Sequence, residues 1–196
     1  MSKRGRATAT FLAVLSAVLL ASALSASAAS AAAEWRFGGT LFTGSGETAE
    51  AKAAKASFTV PGLTTSCEPF VLELEVENPG GGGAGVGEVT GVLLGSCKTN
   101  SKFCTVESAQ AEGTPWPPHL ATVTGEHYLV VEAIEVAFIY GGELCALNET
   151  EIVVKGSAAG LVNDSTHTAS FGASALSGVF ALAATGTNAG LAVTVL

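Results

Sequence analysis

The 196-residue chain is long enough for one domain preceded by a targeting segment. Its 17 acidic residues outnumber 9 basic ones, giving a formal charge of −8. Holding phosphate backbones or anionic lipid requires Lys and Arg to displace counterions, so no nucleic-acid partner is expected.

The chain opens with Lys3, Arg4 and Arg6, followed by an uncharged apolar run over residues 11–24. Ala26-Ser27-Ala28 and Ala31-Ala32-Ala33 both satisfy the small-x-small rule of signal peptidase. Residues 1–33 therefore read as a signal peptide, cut before Ala29 or Glu34, with one exported domain over residues 34–196. The rival reading is an uncleaved anchor, but the apolar run is shorter than the roughly 20 residues that span a bilayer. Cleavage removes three basic residues and no acidic one, so six basic against 17 acidic residues leave −11. That charge suits a protein kept soluble outside the cell. No cysteine stands at a cleavage point to carry a lipid, and no Leu-Pro-x-Thr-Gly sorting sequence is present.

Trp35-Arg36-Phe37 and Leu41-Phe42 predict a first strand interrupted by Gly38-Gly39, and Gly44-Ser45-Gly46 predicts a turn. Residues 47–56 are ambiguous, since Ala, Glu and Lys favour helix. The stretch is short and lacks an apolar stripe, so strand is expected there, leading into Ser57-Phe58-Thr59-Val60 and ending at Pro61-Gly62.

The central element is a hairpin between Cys67 and Cys97. Leu72, Leu74 and Val76 alternate with Glu73, Glu75 and Glu77, which makes one apolar and one wet face. Asn78-Pro79 and the glycines 80–83 reverse the chain, and a second strand descends to Cys97. The glutamates read as a solvated face: calcium loops gather their ligands in a tight turn, whereas these carboxylates stand ~7 Å apart along a strand. The Gly-rich turn is not followed by the helix and Lys-Ser/Thr pair of a phosphate-binding loop. With Cys67 opposite Cys97, simple pairing sets Leu72 opposite Val92 but Val76 opposite Glu88. A β-bulge near Gly85, Gly87 or Gly91 is therefore expected.

Cys67, Cys97, Cys104 and Cys145 are an even set in an exported chain, which predicts two disulfides. Three pairings are open. Cys67–Cys97 with Cys104–Cys145 is favoured because the first closes the hairpin's open end. Each bridge would close a loop of ~30 to 40 residues, worth roughly 3 to 4 kcal/mol on the chain-entropy account. A four-cysteine zinc site usually carries close Cys-x-x-Cys pairs, which are absent.

Residues 103–107 predict a short strand. Residues 112–118 make a rigid loop, because Pro115, Pro117 and Pro118 block ladder hydrogen bonds. Its Trp116 is either a core plug under the loop or an exposed anchor for a partner. Strands follow over residues 120–124 and 127–140, the latter alternating through Val130, Ile134, Val136 and Phe138. Gly141-Gly142 turns the chain, residues 151–154 pair back, and residues 156–160 lead to Leu161-Val162 and the turn Asn163-Asp164-Ser165. No charge follows His167, which permits a membrane anchor over residues 168–196. Gly172, Gly178, Gly186, Asn188 and Gly190 depress its apolarity and no basic stop follows, so two strands near 175–184 and 191–196 fit better. Short strands at this spacing predict an all-β fold, an antiparallel sandwich or barrel-like domain.

No G-x-S-x-G or H-E-x-x-H sequence occurs, and the only imidazoles are the widely spaced His119, His127 and His167. A fold could gather His127, Glu132 and Ser170, or a carboxylate pair drawn from Glu126, Glu132, Glu135 and Glu143. Nothing in the spacing favours either, so no catalytic residue, metal ligand or cofactor is assigned. Asn148-Glu149-Thr150 and Asn163-Asp164-Ser165 fit the glycosylation sequon. The Ala- and Gly-rich composition suggests a high-GC bacterium, in which neither is expected to be modified.

The string from Gly87-Glu88-Val89-Thr90-Gly91 through Gly95-Ser96-Cys97, then Cys104-Thr105-Val106, then Cys145 after Phe138-Ile139-Tyr140, resembles a group of secreted, uncharacterised proteins from soil actinobacteria of the Solirubrobacterales kind. These share a Gly-x-Val-Thr strand ending in Gly-x-Cys, a cysteine soon afterwards and a later strand bearing the fourth. The resemblance covers residues 35–196. It implies structure and no activity, and it carries no functional residue across; the glycine run at 80–83 and the Pro-Trp-Pro-Pro loop depart from it.

The expectation is an exported, non-enzymatic β-domain with a binding or structural role, secreted or at the cell surface. Its partner would be a surface protein or carbohydrate, and it would touch membrane only through an uncleaved signal or the C-terminal stretch. The alternatives are a secreted hydrolase with an unrecognised site, or a protease inhibitor presenting the loop between Pro115 and Pro118.

Overall fold

The computed structural model describes residues 32–42, 46–60, 62–80, 83–172, 176–189 and 191–195. The predicted signal peptide, most of the predicted turn at 44–46 and the start of the predicted strand near 175 lie outside the described residues.

The first half of the chain forms β1 (Trp35–Phe37), β2 (Thr40–Leu41), β3 (Glu47–Ala53), β4 (Ala56–Val60), β5 (Leu63–Glu77) and β6 (Val86–Thr99). The second half forms β7 (Thr105–Ala111), β8 (Pro118–Val123), β9 (Glu126–Gly141), β10 (Glu151–Asn163), β11 (Thr168–Phe171), β12 (Gly178–Ala184) and β13 (Val193–Val195). Eight of these close an antiparallel barrel in the order β3-β5-β6-β8-β9-β10-β11-β12, with β12 returning to β3. Closure removes the sheet edges that a sandwich would leave. β4 continues the track of β3 along β5, and β7 lies on β9 beyond the end of β8.

Cys67 pairs with Cys97 and Leu72 with Val92, as the hairpin reading requires. The register then slips by one residue between Glu73 and Leu74, leaving Thr90 as the extra residue of β6, beside Gly91. This is the expected bulge, now placed. It keeps Leu74 and Val76 on the core face.

Neighbouring strands change face along one transverse line. In β3/β4, Ala49, Ala51 and Ala53 are buried, then Ala56, Phe58 and Val60. In β5 the buried set passes from Leu63, Thr65 and Cys67 to Phe70, Leu72 and Leu74. Two successive exposed residues, Ala54-Lys55 and Glu68-Pro69, mark the crossing. Beside them in β6, a Cβ on Gly95 would lie 2.3 Å from the Glu68 carbonyl oxygen, so only glycine fits. β9 makes a similar switch alone: Leu129 and Val131 face the core, then Ile134, Val136 and Phe138. A bulge against β10 lets Glu132 and Ala133 (φ 53°) absorb the change. Val130 faces outward, and the loose alternation expected through it is really two alternations out of phase. Residues 156–160, expected as a lead-in, are the middle of β10 at this bulge.

Aromatic rings fill the barrel. Phe58 packs on Phe70 and Phe138, with centroids 5.6 and 5.3 Å apart, and Phe180 joins Phe70 to Phe171. Each fully buried ring stabilises by about 2 to 3 kcal/mol relative to exposure.

One end is plugged by a small sheet in the order β13-β1-β2. The expected interrupted first strand is a hairpin, because Gly38 and Gly39 take φ of 58° and 79° and reverse the chain. Trp35 is buried, and its ring N–H donates to the Val86 carbonyl at 3.2 Å. Asn78, read from sequence only as part of a turn, holds this plug. Its Oδ1 accepts the Trp35 N–H, and its Nδ2 donates to the Trp35 and Phe42 carbonyls. Asp164 anchors β13 by accepting the Val195 N–H at 2.7 Å.

The end of the chain thus returns to the barrel. β11 and β12 are wall strands, and β12 turns through a short 3-10 segment (Gly186–Asn188) into β13. No helix of the described residues is long and apolar enough to cross a membrane.

Candidate functional site

Both disulfides follow the favoured pairing. Cys67–Cys97 bridges directly opposed residues of β5 and β6. Cys104–Cys145 ties the β6–β7 loop to the turn after β9. Both lie towards the end opposite the plug, where the Thr65 hydroxyl and the Tyr140 hydroxyl share a buried 2.7 Å hydrogen bond. Burial pushes the Tyr140 hydroxyl above the ordinary tyrosine range, and the bond to Thr65 partly offsets this. The four cysteines are structural: none of the described residues carries a free thiol.

Trp116 is 0 % exposed, so its place is under the loop and not on a partner surface. This corrects its assignment as a possible partner contact. The prolines hold the loop rigid, while the indole finds a core site and donates to the Glu112 carbonyl at 2.8 Å. Its backbone exchanges hydrogen bonds with Val89 at 2.8 and 3.3 Å. Pro115 and Pro117 are exposed on either side of it. A protease inhibitor offers a free extended backbone, and here the middle of the segment is already paired.

That pairing closes the barrel wall. β6 meets β8 in a ladder only at Val86 and His119, supported by the Leu120 N–H donating to the Gly85 carbonyl. Past Trp116, β6 and β7 run side by side without a ladder. Core-facing Val92, Leu94, Val106 and Ala109 along this seam are only partly buried.

The residues considered for catalysis are not brought together. His127 shares the inward face of Leu129, and its Nδ1 lies 3.1 Å from the Thr122 hydroxyl. Ser170 lies between buried Ala169 and Phe171 and so points out of the barrel. Glu132 is exposed at the β9 bulge, on the same strand as His127 but five residues along it. His119 faces outward from β8, and His167 sits in the turn between β10 and β11. Among the carboxylates, Glu126 accepts the Tyr128 hydroxyl and Glu135 pairs with Lys155. Glu143 stands in the turn after β9.

Glu73 and Glu75 stand on the wet outer face of β5, as read. Across the ladders Glu50 lies directly opposite Glu73, and Glu75 opposite Glu88. Like charges so placed weaken a sheet slightly, and they keep this side of the barrel strongly acidic. Two open hollows lie there, one beside Glu75, Glu77 and Glu88 and one beside Glu50 and Glu73. Among the described residues no three His, Cys, Asp or Glu side chains are grouped to hold a metal ion.

Two features escaped the sequence reading. The seam depends on which strands become neighbours, and the acidic side depends on cross-strand register. The period-2 glutamates of residues 73–77 signalled only one strand of the latter. No family model, curated protein or solved structure matches the chain.

Proposed function

We propose that this chain is an exported, non-enzymatic β-barrel domain whose role is binding or structural, at or outside the cell surface. The observation that carries the reading is the pair of disulfides around a solidly filled barrel. Two such bridges are compatible with an oxidising compartment. A lumen occupied by phenylalanine rings leaves the outer surface as the part offered to a partner, a surface protein or a carbohydrate. Six basic against 17 acidic residues over 34–196 keep that surface soluble.

The test is a parallel screen of the purified, oxidised protein. One arm presents surface-protein and polysaccharide arrays; the other presents ester, glycoside and peptide substrates and a set of proteases. Saturable binding without turnover is expected. Turnover abolished by substituting His119, His127 or His167 would replace the reading with a hydrolase. Protease inhibition lost on substituting Pro115 or Pro117 would replace it with an inhibitor.

A further inference from the structure

The two candidate processing sites differ in what the fold does with the residue just before the cut. For a cut before Glu34 that residue is Ala33, whose carbonyl a peptidase would have to attack. Ala33 is 1 % exposed and belongs to the hydrophobic core. With Trp35 and Phe37 it makes an alternating buried row, so the inward face of β1 continues upstream by one more side chain. The Ala33 carbonyl accepts the Gly85 N–H at 2.8 Å. Gly85 is itself buried, where a Cβ would lie 2.5 Å from the Trp35 ring and 2.9 Å from Leu120. Only glycine lets the backbone come this close to the plug. The Gly85 carbonyl takes the Leu120 N–H at 2.7 Å, next to the ladder pair Val86–His119 that joins β6 to β8. Ala33 therefore docks at the point where the barrel wall is closed.

We propose that signal peptidase cuts after Ala26-Ser27-Ala28, so that the mature chain starts at Ala29 and keeps Ala33 as the first core residue of the fold. The inference rests on the exported reading and chooses between the two sites which that reading leaves open. Hydrolysis breaks the C–N bond between Ala28 and Ala29. Water supplies the hydroxyl of the new Ala28 carboxyl group and a proton to the Ala29 amine. Both sites satisfy the small-x-small rule, so side-chain size does not separate them. Burial does. A cut before Glu34 discards Ala33 from the core and leaves the buried Gly85 N–H without its acceptor, which is costly for a donor shut away from water. It also sets a new ammonium next to the buried Trp35. A cut after Ala28 leaves residues 29–32 ahead of Ala33 and disturbs none of these contacts. Folding then protects the second site, because the docked Ala33 carbonyl is engaged by Gly85 and no longer open to attack.

Export of the full chain, followed by N-terminal sequencing of the protein in the medium, tests this. The wild type is expected to start at Ala29. Ala28→Gln puts a bulky residue directly before the proposed cut, and loss of processing is expected. Ala31→Gln spoils the Glu34 site in the same way, at its other small position, and is expected to leave the start unchanged. In the secreted protein the Gly85 amide is expected to resist hydrogen exchange, as a buried donor with a partner does. A mature chain starting at Glu34, or at any residue other than Ala29, overturns the proposal. So does processing that Ala31→Gln abolishes and Ala28→Gln spares, or a Gly85 amide that exchanges as fast as an open loop. Wild-type protein that stays full-length in every fraction refutes instead the exported reading itself.

Discussion

Trp116 offers the sharpest test of how the barrel closes. It is 0 % exposed, donates its ring N–H to Glu112 and pairs through its backbone with Val89, beside the weakest join in the wall. Trp116→Ala removes a fully buried aromatic side chain, which costs about 3 to 5 kcal/mol in known cores, and leaves the Glu112 carbonyl without its donor, about 1 kcal/mol more. Roughly 4 to 6 kcal/mol is therefore expected, set against a total stability on the order of 5 to 15 kcal/mol for a single domain. At this size each kcal/mol moves the melting temperature by about 2 to 4 °C, so a fall of roughly 8 to 24 °C should follow. Trp116→Phe retains most of the packing and loses the donor, and is expected to cost about 1 to 3 kcal/mol. Urea unfolding followed by far-UV circular dichroism measures both, and Trp35, the other tryptophan, remains as a fluorescent reporter in either variant. If Trp116→Ala shifts the stability by less than about 1 kcal/mol, a surface-sized effect, the indole is not the pin of this seam.

Other expectations follow from the same geometry. Asn78→Ala removes three hydrogen bonds to Trp35 and Phe42 and should cost about 2 to 3 kcal/mol, with hydrogen exchange accelerating in β1 and β2 before the barrel wall. Replacing Cys67 and Cys97, or Cys104 and Cys145, by alanine opens loops spanning 30 and 41 residues, so each double variant should lose about 3 to 4 kcal/mol in urea unfolding. Tyr140 has its pKa raised by burial in the fold, so its contribution is fully present below the unfolded value of about 10 and is lost as pH rises above it. Stability measured across that alkaline range should fall more steeply in the wild type than in Tyr140→Phe, and parallel curves would contradict the assignment.

The parts of this fold that could be read in the sequence are those governed by near neighbours. Alternating Leu72, Leu74 and Val76 against glutamates exposed the β5–β6 hairpin. The mismatch between Cys67–Cys97 pairing and Val76 required a bulge, which the register puts at Thr90. β9 was legible as a strand but not in its facing, because one apolar run can hide a change of phase at Ala133. The plug was hidden for a different reason. β1 pairs with β13 from opposite ends of the chain, and a contact between Arg36 and Thr194 leaves no local pattern. Asn78 looked like turn chemistry because its three bonds are made to residues about 40 positions away. Trp116 could be assigned to core or surface only once Val89 was known to be its neighbour. The uncharged C-terminal stretch invited an anchor reading since composition alone does not tell lipid from the outer wall of a barrel.

The most direct test of the account is the intact mass of the native protein, recovered from culture medium and from washed envelope, with and without reductant. The account predicts a chain in the medium beginning between Ala29 and Glu34, lighter before reduction by the four hydrogens that two disulfides remove. Full-length protein confined to the envelope, or protein with free thiols, would contradict it.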